Sequence, residues 1–108
     1  MRRVAATGAL AGMLALASCT GPDLLVLHGN LRHSNGEYGK ATVAYLSALE
    51  KAAGAAAPYV QYDLGNVYAA LGEPAAARDT IGRALDGEGN ELLFRAHFNL
   101  GVLEYEQG

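Results

Sequence analysis

The chain has 108 residues, room for one small domain, and is 51% hydrophobic with only 7% aromatic residues and no Trp. Alanine supplies much of that hydrophobic content, so thin, closely packed helices are expected, not a deep pocket lined by large side chains. The formal charge of −3 offers no basic stripe for a nucleic-acid backbone and argues against that class of partner.

The chain opens with a short positive start, Met1-Arg2-Arg3, followed by 14 apolar or small residues from Val4 to Ala17. A helix needs about 20 apolar residues to span a bilayer, so this run is too short. Its length and flanks fit the core of a secretory signal peptide over residues 1–18. The run ends in Leu16-Ala17-Ser18-Cys19, which resembles the lipobox of bacterial lipoproteins: a Leu, two small residues, then Cys. The resemblance implies that Cys19 is cleaved to become the N-terminus and is acylated with diacylglycerol and a further fatty acid, palmitate among the chains that could serve. Stable anchoring takes more than one acyl chain, which such a Cys would carry. The alternatives are an ordinary small residue closing a plain signal peptide, or a buried free thiol. Cys19 is the only cysteine, which excludes a disulfide within the chain. Thr20 stands where an Asp would, by the same resemblance, imply retention in the inner membrane; outer-membrane placement facing the periplasm is therefore favoured. Losing Arg2 and Arg3 with the signal takes the formal charge from −3 to −5, which gives no polybasic help on anionic lipid. Residues 19–22 form a short tether that would keep the rest close to a membrane.

Beyond the tether, helical patterns follow one another. Pro22-Asp23 signals the start of a helix from Asp23 to about Asn35, with Leu24, Leu25, Leu27 and Leu31 as its apolar stripe. Asn35-Gly36 ends it in the manner of a left-handed C-terminal residue. A second helix runs from about Tyr38 to Ala53, with Ala41, Ala44, Tyr45, Ala48 and Leu49 on one face; Gly54 and Pro58 then punctuate the chain. Pro58 to Leu71 forms a third, with Val60, Leu64, Val67 and Leu71 spaced for one face. After Gly72-Glu73, Pro74 opens a fourth helix to about Leu85, at a position where its missing N–H costs nothing. The loop Gly87-Glu88-Gly89-Asn90 leads to a fifth helix from Glu91 to Gln107, carrying Phe94, Phe98, Leu100 and Leu103.

These patterns repeat every 36 residues: Gly29, Gly65 and Gly101; Gly36, Gly72 and Gly108; Glu37 and Glu73; Ala41 and Ala77; Tyr45 and Ile81; Ala48 and Ala84; Leu49 and Leu85. A fixed period of this length marks stacked supersecondary units. Asp63-Leu64-Gly65-Asn66-Val67-Tyr68, with Leu71-Gly72, Ala77, Ile81 and Ala84-Leu85, resembles the tetratricopeptide repeat (TPR). Asn99-Leu100-Gly101 restarts the pattern, and Gly29, Gly36, Ala41, Tyr45 and Ala48 form a weaker first copy. The resemblance implies an all-α solenoid of antiparallel helix pairs over residues 23–108, with repeats at about 22–57, 58–93 and a partial one at 94–108. Gly65 and Ala84 are expected to be small because helices cross closely there. There are departures: the period is 36 against the usual ~34, with the extra residues placed in the inter-repeat loops. A late Pro is missing, and His28 replaces the Leu of Leu64 and Leu100. The chain stops half-way through a unit, with Leu100 and Leu103 expected to be partly uncovered. The final helix could be a cap, face another protein, or belong to a longer chain cut short, which is favoured.

In the TPR family the first helices of each pair line a concave groove. Carried over by register, the resemblance implies a groove of Asp23, Val26, Asn30, His33 and Ser34; then Tyr59, Tyr62, Asn66, Ala69 and Ala70; then Arg95, Phe98, Val102, Tyr105 and Glu106. Asn30, Tyr59, Tyr62, Asn66, Arg95, Phe98 and Tyr105 are the main candidates for holding a peptide or helix. An Asn offers both a donor and an acceptor to a peptide backbone, although Asn30 and Asn66 could equally bond within their own protein. Val26, Tyr62 and Phe98 stand where repeats that grip a C-terminal carboxylate resemble one another in carrying Lys or Arg, so apolar and aromatic ligand side chains fit better.

No catalytic set emerges. His28 and His33 are five residues apart and diverge on a helix, and His97 is distant, so no metal ligand set is assigned. Ser34 and Ser47 lack His–Asp partners at convincing spacing. The Gly87–Asn90 loop lacks the Lys-Ser/Thr and preceding strand of a phosphate cradle. Glu104 and Glu106 read as a solvated acidic end. The expectation is a non-enzymatic, lipid-anchored scaffold of the cell envelope, without cofactor, that binds a protein or peptide partner. The alternative is a structural or accessory component of an outer-membrane assembly, secretion or cell-wall complex, or self-association through the C-terminal helix.

Overall fold

The computed structural model describes residues 21–52 and 56–107. They form five α-helices: α1 (Pro22–Ser34), α2 (Tyr38–Lys51), α3 (Ala56–Ala70), α4 (Pro74–Ala84) and α5 (Asn90–Gln107). No strand occurs among the described residues, and the class is all-α. The signal segment, Cys19, Thr20, Gly54 and Gly108 lie outside the described residues.

Two three-residue turns are built alike. Gly36 and Gly72 both have φ of 75°, a left-handed conformation that a side chain disfavours. At the first turn the Gly36 N–H donates to His33 O at 3.0 Å and the Glu37 N–H to Arg32 O at 2.8 Å. At the second, Gly72 donates to Ala69 O at 3.1 Å and Glu73 to Tyr68 O at 3.0 Å. These paired bonds satisfy carbonyls that the helix end would leave open. Pro22 and Pro74 each begin a helix, where the ring presets φ and no N–H is needed. Pro58 lies in the first turn of α3, which starts at Ala56, before the proline that sequence reading takes as the start. The helix α2 ends at Lys51, short of the expected Ala53, because Ala52 turns to an extended conformation.

Helices adjacent in sequence pack against each other, and α3 also touches α1 and α5. Within α3–α4, Gly65 at mid-helix meets Ile81, while Pro58 near the start meets Gly87 beyond the far end. The two therefore run antiparallel. Close approach explains the small residues. A Cβ on Gly65 would lie 2.3 Å from Ile81 Cγ1, and one on Gly29 would lie 2.6 Å from the Tyr45 ring. Tyr45 and Ile81 are fully buried over these glycines, and burial of such a side chain stabilises by about 1.5–3 kcal/mol. Gly101, at the same register on α5, has nothing near it.

The core has two centres. Ala41, Tyr45, Ala48, Val60, Leu64 and Val67 join α2 to α3. Ala77, Ile81, Ala84, Ala96 and Leu103 join α4 to α5. Two faces differ from the sequence-based expectation. On α1 it is Leu25 and Val26 that pack on the core, whereas Leu24, Leu27 and Leu31 are exposed. On α5, Leu100 is half-buried, partly uncovered as expected, whereas Leu103 is buried. The open face of α5 is aromatic: Phe94, Phe98 and Tyr105 are 71%, 62% and 88% exposed. Gly87 is a tight point between units, since a Cβ there would lie 2.6 Å from Pro58 Cβ and 2.9 Å from Leu92 Cδ2.

Candidate functional site

The register that the turn glycines set brings α1, α3 and α5 side by side. Side-chain hydrogen bonds join α5 to α3. Asn99, on α5, donates its amide to Asn66 Oδ1 at 2.7 Å and to the Tyr62 hydroxyl at 3.1 Å, both on α3. One unit earlier, the Tyr45 hydroxyl rises from α2 and donates to Asn30 Oδ1 on α1 at 2.5 Å. Burial pushes the Tyr45 hydroxyl up to about 12, and the charge of Asp63 adds to that effect. Asp63, on α3, is half-buried, and burial pushes its carboxyl up to about 6.

A hollow of about 290 Å³ opens between α3 and α5, with Ile81 of α4 as its floor. Asn66 and Ala69 form one wall, Asn99 and Val102 the other, and Glu106 stands at one edge. A smaller hollow of about 210 Å³ lies toward the start of α5 between Tyr59, Leu92 and Arg95. There Arg95 is engaged by Glu91, one turn away on the same helix, at 2.7 Å.

The seven candidate groove residues therefore occupy separate places. Tyr59 and Arg95 share the smaller hollow. Asn66 lines the larger one, and Tyr62 packs on the second core centre beneath its bond from Asn99. Asn30 accepts from Tyr45 in the first unit. Phe98 stacks on Phe94 with ring centres 6.4 Å apart, and Phe98 and Tyr105 border an open concavity of α5 that also takes in Val102 and Glu106. Both asparagine carbonyls are used within the protein. Of the other residues that the register would place in the groove, Val26 packs on the core, His33 lies edge-on to Tyr38 with ring centres 5.6 Å apart, and Ser34 bonds Leu31 O. Neither a family model nor a curated protein matches the chain.

Asn99, Asp63 and Ile81 are the site residues that a reading of register alone passes over. Asn99 and Asp63 share one register position, 36 residues apart, and their equal spacing is the signal that could have drawn attention to them. His28 accepts from Arg32 Nε at 3.1 Å. Among the described residues no group of three His, Cys, Asp or Glu side chains could hold a metal ion. No described helix is long and apolar enough to cross a membrane.

Proposed function

We propose that the chain is a TPR-like helical solenoid that binds a peptide or helix along the surface shared by α1, α3 and α5, presented in the bacterial cell envelope by a lipid anchor at Cys19. The observation that carries the reading is the bridge from Asn99 to Asn66 and Tyr62, which ties α5 to α3 beside a hollow with both polar and apolar walls. The two hairpin turns, equal in φ and hydrogen bonding at an interval of 36 residues, support the solenoid part of the reading. Repeat arrays use extended concave surfaces of this kind. Phe98 and Tyr105, both exposed, border a concavity that shares Val102 and Glu106 with the hollow, and they supply the anchors such a partner needs.

The test replaces residues that the core does not use. Phe98→Ala with Tyr105→Ala removes two exposed rings and should leave the helical content unchanged by circular dichroism. Capture of partners from envelope extract by the acylated protein should be lost. Capture equal to that of the parent protein refutes the groove.

A second reading rests on the exposed face of α5. Phe94, Phe98 and Tyr105 form an apolar strip, and such strips mark contact surfaces. A structural role through self-association would use it. Sedimentation separates the two: dimers that dissociate on dilution and vanish in Phe94→Asp/Phe98→Asp support self-association, and a monomer at every concentration removes it.

A further inference from the structure

We infer that the hollow between α3 and α5 is a side-chain pocket for a phenol, the tyrosine of a bound peptide being its occupant. The inference rests on the peptide-binding reading and names the side chain that the surface selects.

The argument comes from comparing two units of the same molecule. In the first, the residue over the glycine is Tyr45; its ring lies against Gly29, is fully buried, and its hydroxyl ends at Asn30 Oδ1. In the second, the equivalent residue is Ile81, over Gly65, and the equivalent of Asn30 is Asn66. Isoleucine branches at once and ends short. It fills the space above the glycine but does not reach Asn66, and the gap is the hollow of about 290 Å³ that both residues line. A cavity of about 150 Å³ is enough to hold benzene, so one aromatic ring fits with room for its substituent.

The chemistry of the walls favours a hydroxylated ring. Ala69 and Val102 present exposed apolar surface to its faces, with Ile81 and Leu103 buried beneath them. Asn66 Oδ1 already accepts from Asn99 at 2.7 Å, but an amide carbonyl has two lone pairs and can accept again. A phenol O–H entering from outside would meet the acceptor that Tyr45 meets from inside one unit earlier. The first unit carries its own tyrosine in this place; the second leaves the place for a tyrosine supplied by the partner.

The experiment titrates ¹⁵N-labelled protein with p-cresol, the tyrosine side chain alone, and with toluene, the same ring without the hydroxyl. The side-chain amide resonances of Asn66 and Asn99 should move with p-cresol, and one neutral hydrogen bond should make it about five-fold tighter than toluene. Ile81→Tyr should fold, since Tyr45 shows that the site geometry accepts the ring, and should abolish the response by filling the hollow from within. Asn66→Leu, which leaves the floor intact, should erase the preference for p-cresol over toluene. No shift at Asn66 and Asn99 in the parent protein, or equal p-cresol binding by Ile81→Tyr, overturns the pocket. Random peptides displayed on phage then separate the pocket from the groove. Peptides enriched without tyrosine, and lost on Phe98→Ala/Tyr105→Ala, leave the groove standing and remove the phenol pocket. Binding of p-cresol with no peptide enriched removes the peptide as its source.

Discussion

Asp63→Asn should make the protein more stable at neutral pH and flatten its pH dependence. Burial raises the Asp63 carboxyl from 3.8 to about 6 in the folded chain. Between these values the folded state holds a proton that the unfolded state has lost. The associated stability is fully present below the unfolded value and disappears as pH rises through about 6. A shift of about two units corresponds to a ceiling of about 3 kcal/mol at ~1.36 kcal/mol per unit. The carboxyl retains some contact with water, so screening reduces the expected effect to roughly 1–2 kcal/mol. Asparagine has the same shape and stays neutral, and it is what the chain itself uses at the equivalent Asn99. The assay is urea unfolding of both proteins at pH 4 and pH 7.5. With a slope of about 1 kcal/mol per M urea, the parent midpoint should fall by about 1–2 M relative to the variant on going to the higher pH. All other side chains are common to both proteins and cancel in this difference. Midpoints that stay parallel at the two pH values would show a solvated, ionised Asp63 and refute the reasoning.

Gly65→Ala and Gly101→Ala occupy one register position and should change stability in opposite directions. The first puts a Cβ against Ile81 and should cost about 1–3 kcal/mol; the second meets open space and should gain about 0.5–1 kcal/mol of helix propensity. Thermal melts of the two read both signs. Gln61 has a buried side-chain oxygen with no partner among the described residues, so Gln61→Leu, the residue type found at the equivalent Leu25, should stabilise by about 1 kcal/mol in urea unfolding. Incorporation of a fatty-acid probe during growth in a bacterial host should be lost in Cys19→Ala; equal labelling would end the lipid-anchor proposal.

Much of the fold was legible because it depends on local geometry. A left-handed residue is needed wherever the chain reverses in three residues, and Gly36 and Gly72 announce it. Ala41, Ala77 and Ala84 are fully buried, as small residues at a close crossing should be. On α1, however, apolar residues occur on nearly every side, and periodicity could not separate Leu25 and Val26, which face α2, from Leu24, Leu27 and Leu31, which do not. The site was less legible still. Asn99 meets Asn66 across two helices at a separation of 33 residues, off the repeat interval, so aligning equivalent positions cannot reveal the pair. Asp63 reads as one more polar residue of a helix until the fold buries it near enough to Tyr45 for its charge to act there. Arg95 is the one Lys or Arg among the candidate groove residues, yet Glu91 takes up its charge.

Gly87 sits where the foot of one hairpin rests on the next, wedged among Pro58, Leu92 and the Ala84 carbonyl. The angle between the second and third layers is thus governed by a methyl group that is missing. An alanine there would act as a shim, tilting α5 away from α3 and widening the span between Asn66 and Asn99 without altering any residue that touches a ligand. The spacing of these helices can therefore be adjusted at a single glycine that abuts Leu92, beside the hollow of Tyr59 and Arg95.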